Sequence, residues 1–187
     1  MHRCKDPRAG EVLTFWFRGA EARKEWFQKD PAFDAEIRTR FLPLYEEAAS
    51  GALAHWQERA PDCLALIVLL DQFPRNLFRT PGPEAARAFA TDALALAAAR
   101  RAIDAGYDRE LPEVARTFFY LPFEHSENFA DQERSLQLFA GRPNEIWAVR
   151  HWEVVKRFGR FPHRNAALGR ESTPDEIAFL QQPGSGF

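Results

Sequence analysis

The placement of proline limits this chain more than any other feature of its 187 residues. Asp6-Pro7, Asp30-Pro31 and Thr173-Pro174 each set a proline after a capping side chain, Pro61-Asp62 opens another helix, and apolar residues at helical spacing follow. In the first turn of a helix proline costs no hydrogen bond, because the N–H it lacks would find no partner there. No sustained period-2 alternation of apolar and polar residues appears, and there is no Asn-Gly hairpin signal. The chain is expected to be all-α, with roughly eight to ten helices joined by short proline-marked turns.

Asp6 and Asp30 read as N-caps. The first helix then carries Val12, Leu13, Phe15, Trp16 and Phe17. The second carries Phe33, Ile37, Phe41, Leu44 and Tyr45 and ends at Ser50-Gly51, with a kink or break expected at Pro43. After Pro61-Asp62 comes an unbroken apolar run, residues 63–70, so that helix should be buried nearly all round and should close or bend at Phe73-Pro74. Thr91 is the expected cap of an Ala/Leu helix that stops at Gly106. Further helices are expected over EVARTFFYL, over the stretch after Asn128 and from about 143 to 158. In STPDEIAFL, Thr173 and Glu176 form a capping box. Residues 1–187 read as a single all-α domain, with 180–187 a mobile tail.

Seventeen Phe and five Trp need a sizeable core, and a chain of this length can bury one. A net charge of −2 argues against general nucleic-acid binding, for which a basic surface supplies most of the affinity. Cys4 and Cys63 form no C-x-x-C pair, so no thiolate zinc site is expected and both thiols are expected reduced. The first ten residues lack the apolar centre of a signal peptide, and the longest apolar run is far short of the about 20 residues that span a bilayer. The expectation is a cytoplasmic protein with no nucleic-acid or membrane partner, no metal and no cofactor.

The stretches LTFWF, WFQKDPAFDAEIRTRF, LLDQFPRNLFR, AFATDALALA, YLPFEHSENFADQERSLQLF and RFGRFPHRNAALGRESTPDEIAFL together resemble the bacterial "domain of unknown function 924" family, over nearly the whole chain. The resemblance implies an all-α fold of the tetratricopeptide-like superfamily, an antiparallel helix-hairpin array, and implies no activity. The chain itself has no 34-residue period and no W-x₂-L-G-x₂-Y signature, so the peptide-binding groove of true tetratricopeptide arrays does not follow.

Three charged motifs attach to apolar stripes. In the helix after Asn128, Phe129, Leu136, Phe139 and Ala140 define a stripe that takes in Gln132 and Glu133, which should then be at least half buried. A buried carboxylate without a partner costs several kcal/mol, roughly, so something must meet Glu133. Asp71 lies in line with Leu64, Ile67 and Val68, with Arg75 one turn later; the two form either a structural pair or, with Gln72 and Asn76, the rim of a pocket. His151 shares a face with Trp147, Val154, Val155 and Phe158; a carboxylate neighbour would raise its pKa and burial alone would lower it.

The acidic residues Glu124, Glu127, Asp131 and Glu133 precede a basic segment, Arg142 to Arg170, and the two are expected to pack together. The expected site therefore combines Asp71, Gln72, Arg75 and Asn76 with Glu124, His125, Glu127, Asp131, Gln132 and Glu133, and with His151, Arg160, His163, Arg164 and Asn165. An opening is expected to be lined by Glu124, His125, Arg160, His163, Arg164 and Asn165. Guanidinium forks suit a small anionic or polar molecule. His125, Glu124 and His163 are the candidates for acid–base work. No H-x-x-x-H or E-x-x-H spacing points to a metal, and no Ser or Cys has the setting of an activated nucleophile. Two classes of function stay open: recognition of a small anionic or polar ligand with acid–base chemistry, or a protein-interaction scaffold in which these charges only hold helices together and aromatics such as Trp16, Trp26, Phe27, Trp56 and Trp147 line a groove.

Overall fold

The computed structural model describes residues 4–18 and 22–186, and among them every regular element is helical. In chain order the α-helices are α1 (Pro7–Phe17), α2 (Pro31–Ala49), α3 (Ala60–Ile67), α4 (Phe73–Leu77), α5 (Asp92–Asp104), α6 (Tyr107–Glu110), α7 (Glu113–Glu124), α8 (Phe129–Phe139), α9 (Glu145–Phe158) and α10 (Pro174–Leu180), with short 3₁₀ turns between some of them. They cluster into two compact units. The first holds residues up to 79 with 87–122, the second 80–86 with residues from 123 onward. No helix among the described residues is long and apolar enough to cross a membrane.

The expected Asp-Pro caps form. Asp6 accepts the Arg8 N–H at 2.9 Å, and Asp30 accepts those of Ala32 and Phe33 at 2.9 and 3.0 Å. The side chain of Arg8 also grips Asp6 and holds that carboxyl down at about 2. α2 runs unbroken through Pro43, against the expected interruption. Pro43 and Thr39, whose carbonyl loses its helical donor, both lie on the exposed face, where water can take the carbonyl. Behind the caps lies an aromatic core. Phe15 stacks on Phe33 with ring centres 5.1 Å apart, Trp16 on Trp26 at 5.9 Å, and Phe118 meets Trp26 edge-on at 5.0 Å. Trp16, Trp26 and Trp56 are therefore core residues, whereas Phe27 (62% exposed) and Trp147 (47%) are on the surface.

The apolar run is buried on every side, from Ala60 to Pro74, as its composition requires. The expected stop at Phe73-Pro74 does not occur. The helix instead widens into a π-turn over Val68–Gln72, with the Phe73 N–H reaching back to Val68 O, and resumes as α4. Pro74 brings no N–H to this turn, and two carbonyls there find side-chain donors. Leu70 O accepts the Thr91 hydroxyl at 2.6 Å, and Asp71 O accepts the Arg75 guanidinium. Thr91 stands at the expected N-cap position of α5, but its hydroxyl serves Leu70 and not its own helix.

Thr91→Val keeps the shape and removes this donor from a buried carbonyl. We expect a loss of about 1–3 kcal/mol in urea unfolding at unchanged m-value, with Thr91→Ser close to the parent.

Candidate functional site

The second unit is built on α8 lying along α9. The buried face of α8 is polar: Asp131, Gln132 and Ser135, with Phe139 at its end. Gln132 sits on this face as expected, but Glu133 is exposed and Phe129 is 41% exposed, so the stripe is turned by about one residue from the one read off Phe129. Glu133 therefore needs no buried partner. The Gln132 amide donates to Ser126 O at 2.6 Å and Glu124 O at 2.7 Å. It closes the end of α7 and clamps the backbone on both sides of His125. Asp131 accepts the Ser126 hydroxyl at 2.8 Å, and Asn128 caps α8 through the Ala130 N–H at 2.9 Å.

Two ion pairs pin the rest of the unit. Glu127 takes both arms of Arg170, at 2.7 and 2.9 Å, and the Phe161 N–H at 2.8 Å. Partial burial pushes Glu127 up, yet Arg170 and that N–H hold it below the usual carboxylate range. Arg160 takes both oxygens of the buried Glu176, at 2.7 and 2.8 Å. The same Glu176 closes the expected capping box with Thr173 and accepts the Asn165 amide at 3.3 Å. Arg160 and these hydrogen bonds hold Glu176 at about 2. Arg160 and Asn165 are thus engaged in securing α10, and the charged segments neutralise each other through Glu127 and Arg170.

His151, His163 and Arg164 pack around the buried ring of Phe161, with Glu124 and His125 beside His151. The His151 ring meets Phe161 edge-on at 5.5 Å between centres and lies 6.2 Å from His125. His163 is 5.6 Å from Phe161, and the Arg164 guanidinium sits over that ring at 4.6 Å. His151 Nδ1 is 2.8 Å from Trp147 O and 3.4 Å from Glu124 Oε1. A carbonyl only accepts, so Nδ1 carries the proton and Nε2 the lone pair. Despite the carboxylate nearby, His151 is held well below the ordinary histidine value, first by burial and then by the charges of His125, Arg164 and His163. Glu124, Arg164 and His151 are buried, while His125 and His163 are half exposed.

The LDQFPRN motif belongs to the first unit and has its own network. Asp71 is fully buried, 3.5 Å from Arg75 and 2.5 Å from the Gln72 amide nitrogen. Arg75 also bridges to Asp92 at 3.0 Å, and Asn76 donates to Asp34 at 2.9 Å. Two open hollows are present, and of the residues expected to line an opening only Arg160 borders either. One of about 500 Å³ is bordered by Arg157, Phe158, Arg160, Thr173, Asp175 and Glu176, the other of about 420 Å³ by the Asp6, Trp56 and Asp62 region. Among the described residues no three His, Cys, Asp or Glu side chains are placed to hold a metal ion.

Three contributors escaped the sequence reading. Phe161, a buried ring between polar residues, is the surface on which the cluster is assembled, and Arg170 and Glu176 are the distant partners of Glu127 and Arg160. Arg170 carried a signal as part of the basic segment. Its choice of Glu127 carried none, because 43 residues separate them.

Fold and site together describe an all-α protein whose second unit packs two histidines and an arginine on one phenylalanine, with a third histidine and a glutamate beside them. Residues 12–184 match the family described as "Bacterial protein of unknown function (DUF924)", and the chain belongs to that family. It is similar to a solved structure of a protein of unknown function from Agrobacterium tumefaciens, with 43% identity and a TM-score of 0.86, over 94% of this chain and 97% of that one. No curated protein matches it.

His151 gives the site a pH signature. Its folded pKa is lowered, so below the unfolded value of about 6.5 the unfolded chain binds a proton that the folded chain refuses. Stability should be full above pH 6.5 and fall with acid, with a slope of up to about 1.4 kcal/mol per pH unit. His151→Gln should flatten this limb in urea titrations between pH 7.5 and 5.

Proposed function

We propose that the second unit recognises a small anionic ligand through His125, His163 and Arg164, with the Glu124–His151 pair available for proton transfer. One observation carries this reading. His151, His163 and Arg164 pack on the ring of Phe161, His125 and Glu124 lie beside His151, and the imidazoles of His125 and His163 are half exposed. A guanidinium beside imidazoles suits a carboxylate or phosphate, which takes several charge-assisted hydrogen bonds at once. Neutral His151, with its proton fixed on Nδ1, offers a lone pair rather than a charge, the state that a general base requires.

The rival, a protein-interaction scaffold, draws support from a different surface. Phe129, Ile146 and Trp147 are exposed on α8 and α9, with Arg150 stacked on Trp147 at 4.8 Å. Under the rival, Trp147→Ala would abolish partner capture and small anions would leave the melting temperature unchanged.

Thermal shift with sulfate, phosphate and small carboxylates separates the two. Under the ligand reading an anion at 100 times its Kd stabilises by about 2.7 kcal/mol. The double change His125→Gln and His163→Gln should abolish that gain in a protein that still unfolds cooperatively. Glu127→Gln should do the reverse, lowering the melting temperature while the ligand response survives. Silence across the whole panel overturns the proposal.

A further inference from the structure

The geometry points to a second binding site in the second unit, the hollow between the end of α9 and the start of α10, for a small zwitterion that carries both an ammonium and a carboxylate. It shares no residue with the anion-binding reading and does not depend on it. The hollow has about 500 Å³, room for an amino acid or a dipeptide.

Its frame is fixed by contacts already made. Arg160 takes both oxygens of Glu176 and donates to Glu171 O at 2.8 Å, so that this pair is neutral as a unit. Thr173 is locked to Glu176 by the capping box. Phe158 supplies an apolar wall and rests on Phe179, with ring centres 5.1 Å apart. Arg157 and Asp175 differ from these. Both are exposed, and among the described residues neither side chain has an ion pair or a hydrogen bond. The Arg157 guanidinium lies 4.6 Å from the Phe158 ring.

Two opposite charges therefore border one hollow without neutralising each other. A lone anion drawn to Arg157 meets the carboxylate of Asp175, and a lone cation drawn to Asp175 meets the guanidinium. A zwitterion answers both at once, and Phe158 takes its carbon chain. The pair thus rejects singly charged molecules as well as attracting doubly charged ones. Both side chains are solvated, so each contact contributes about three- to fivefold in affinity.

Glycine, β-alanine, γ-aminobutyrate and ε-aminohexanoate set the two charges at increasing separation and serve as probes, with acetate and ethylammonium as the singly charged controls. NMR titration of the full chain at constant ionic strength should show saturable shifts at the Thr173 N–H and the Phe158 ring. The best zwitterion should bind about threefold or more tightly than either control. Arg157→Gln and Asp175→Asn should each weaken it by a similar factor while the melting temperature stays near that of the parent. The double change His125→Gln and His163→Gln should leave its affinity unchanged, which separates this site from the cluster at Phe161. No saturable shift at the two reporters up to about 0.1 M probe, where even a Kd of about 10 mM would be near saturation, overturns the inference. So does acetate binding as well as the zwitterions, or affinity that Asp175→Asn leaves intact. Either result leaves the anion-binding reading to its own test.

Discussion

A small helical unit can bury an ionised side chain only by bringing it an opposite charge, and the second unit is organised around that demand. One apolar cluster in it is Val154, Val155 and Phe161, with Phe158 and Phe179 against it. The long connection after α9 has still to be fixed in place. The Glu127–Arg170 and Arg160–Glu176 forks fix it, tying the segment after α9 back to the α7–α8 connection and to the start of α10. Bidentate geometry matters here because two parallel hydrogen bonds set orientation as well as distance. Phe161 is held through its backbone on both sides, its N–H by Glu127 and its carbonyl by Arg170, which is what allows a single ring to serve as a platform.

The chemistry of the cluster follows from that platform. Once Phe161 is fixed, His151, His163 and Arg164 have one hydrophobic surface to pack on, and the turn clamped by Gln132 brings His125 alongside. Burial first, and then the charges of His125, Arg164 and His163, keep the His151 imidazole neutral, and the Trp147 carbonyl selects its tautomer. The neutrality of His151 is thus a product of packing. The carboxylate of Glu124 is near enough to steer the ring, yet burial and the cationic neighbours outweigh it.

Much of the architecture could be read from the residues. Asp-Pro caps, the capping box at Thr173 and the all-round burial of the central helix are local matters of φ, missing N–H groups and hydrophobic pattern. Proline inside a helix was harder. Pro43 and Pro74 both looked like breaks, but one sits where water can take the freed carbonyl and the other where Thr91 and Arg75 do, and neither circumstance is written near the proline in the chain. Periodicity gave Gln132 its buried place and misplaced Glu133 because Phe129, taken as a core anchor, lies on the surface. For the charged motifs the residue types were legible and the partners were not. Arg160 looked like a ligand group until Glu176 was seen to occupy it. Pair choice among several arginines and glutamates depends on tertiary distance, which spacing along the chain does not encode.

The π-turn at residues 68–72 also sets the phase of the rod. A wide turn holds more residues than an α-turn, so the side chains after it face a different side from the one an unbroken α-helix would give them. Asp71 lies inside that turn, and Arg75 and Asn76 on α4 take their direction from it.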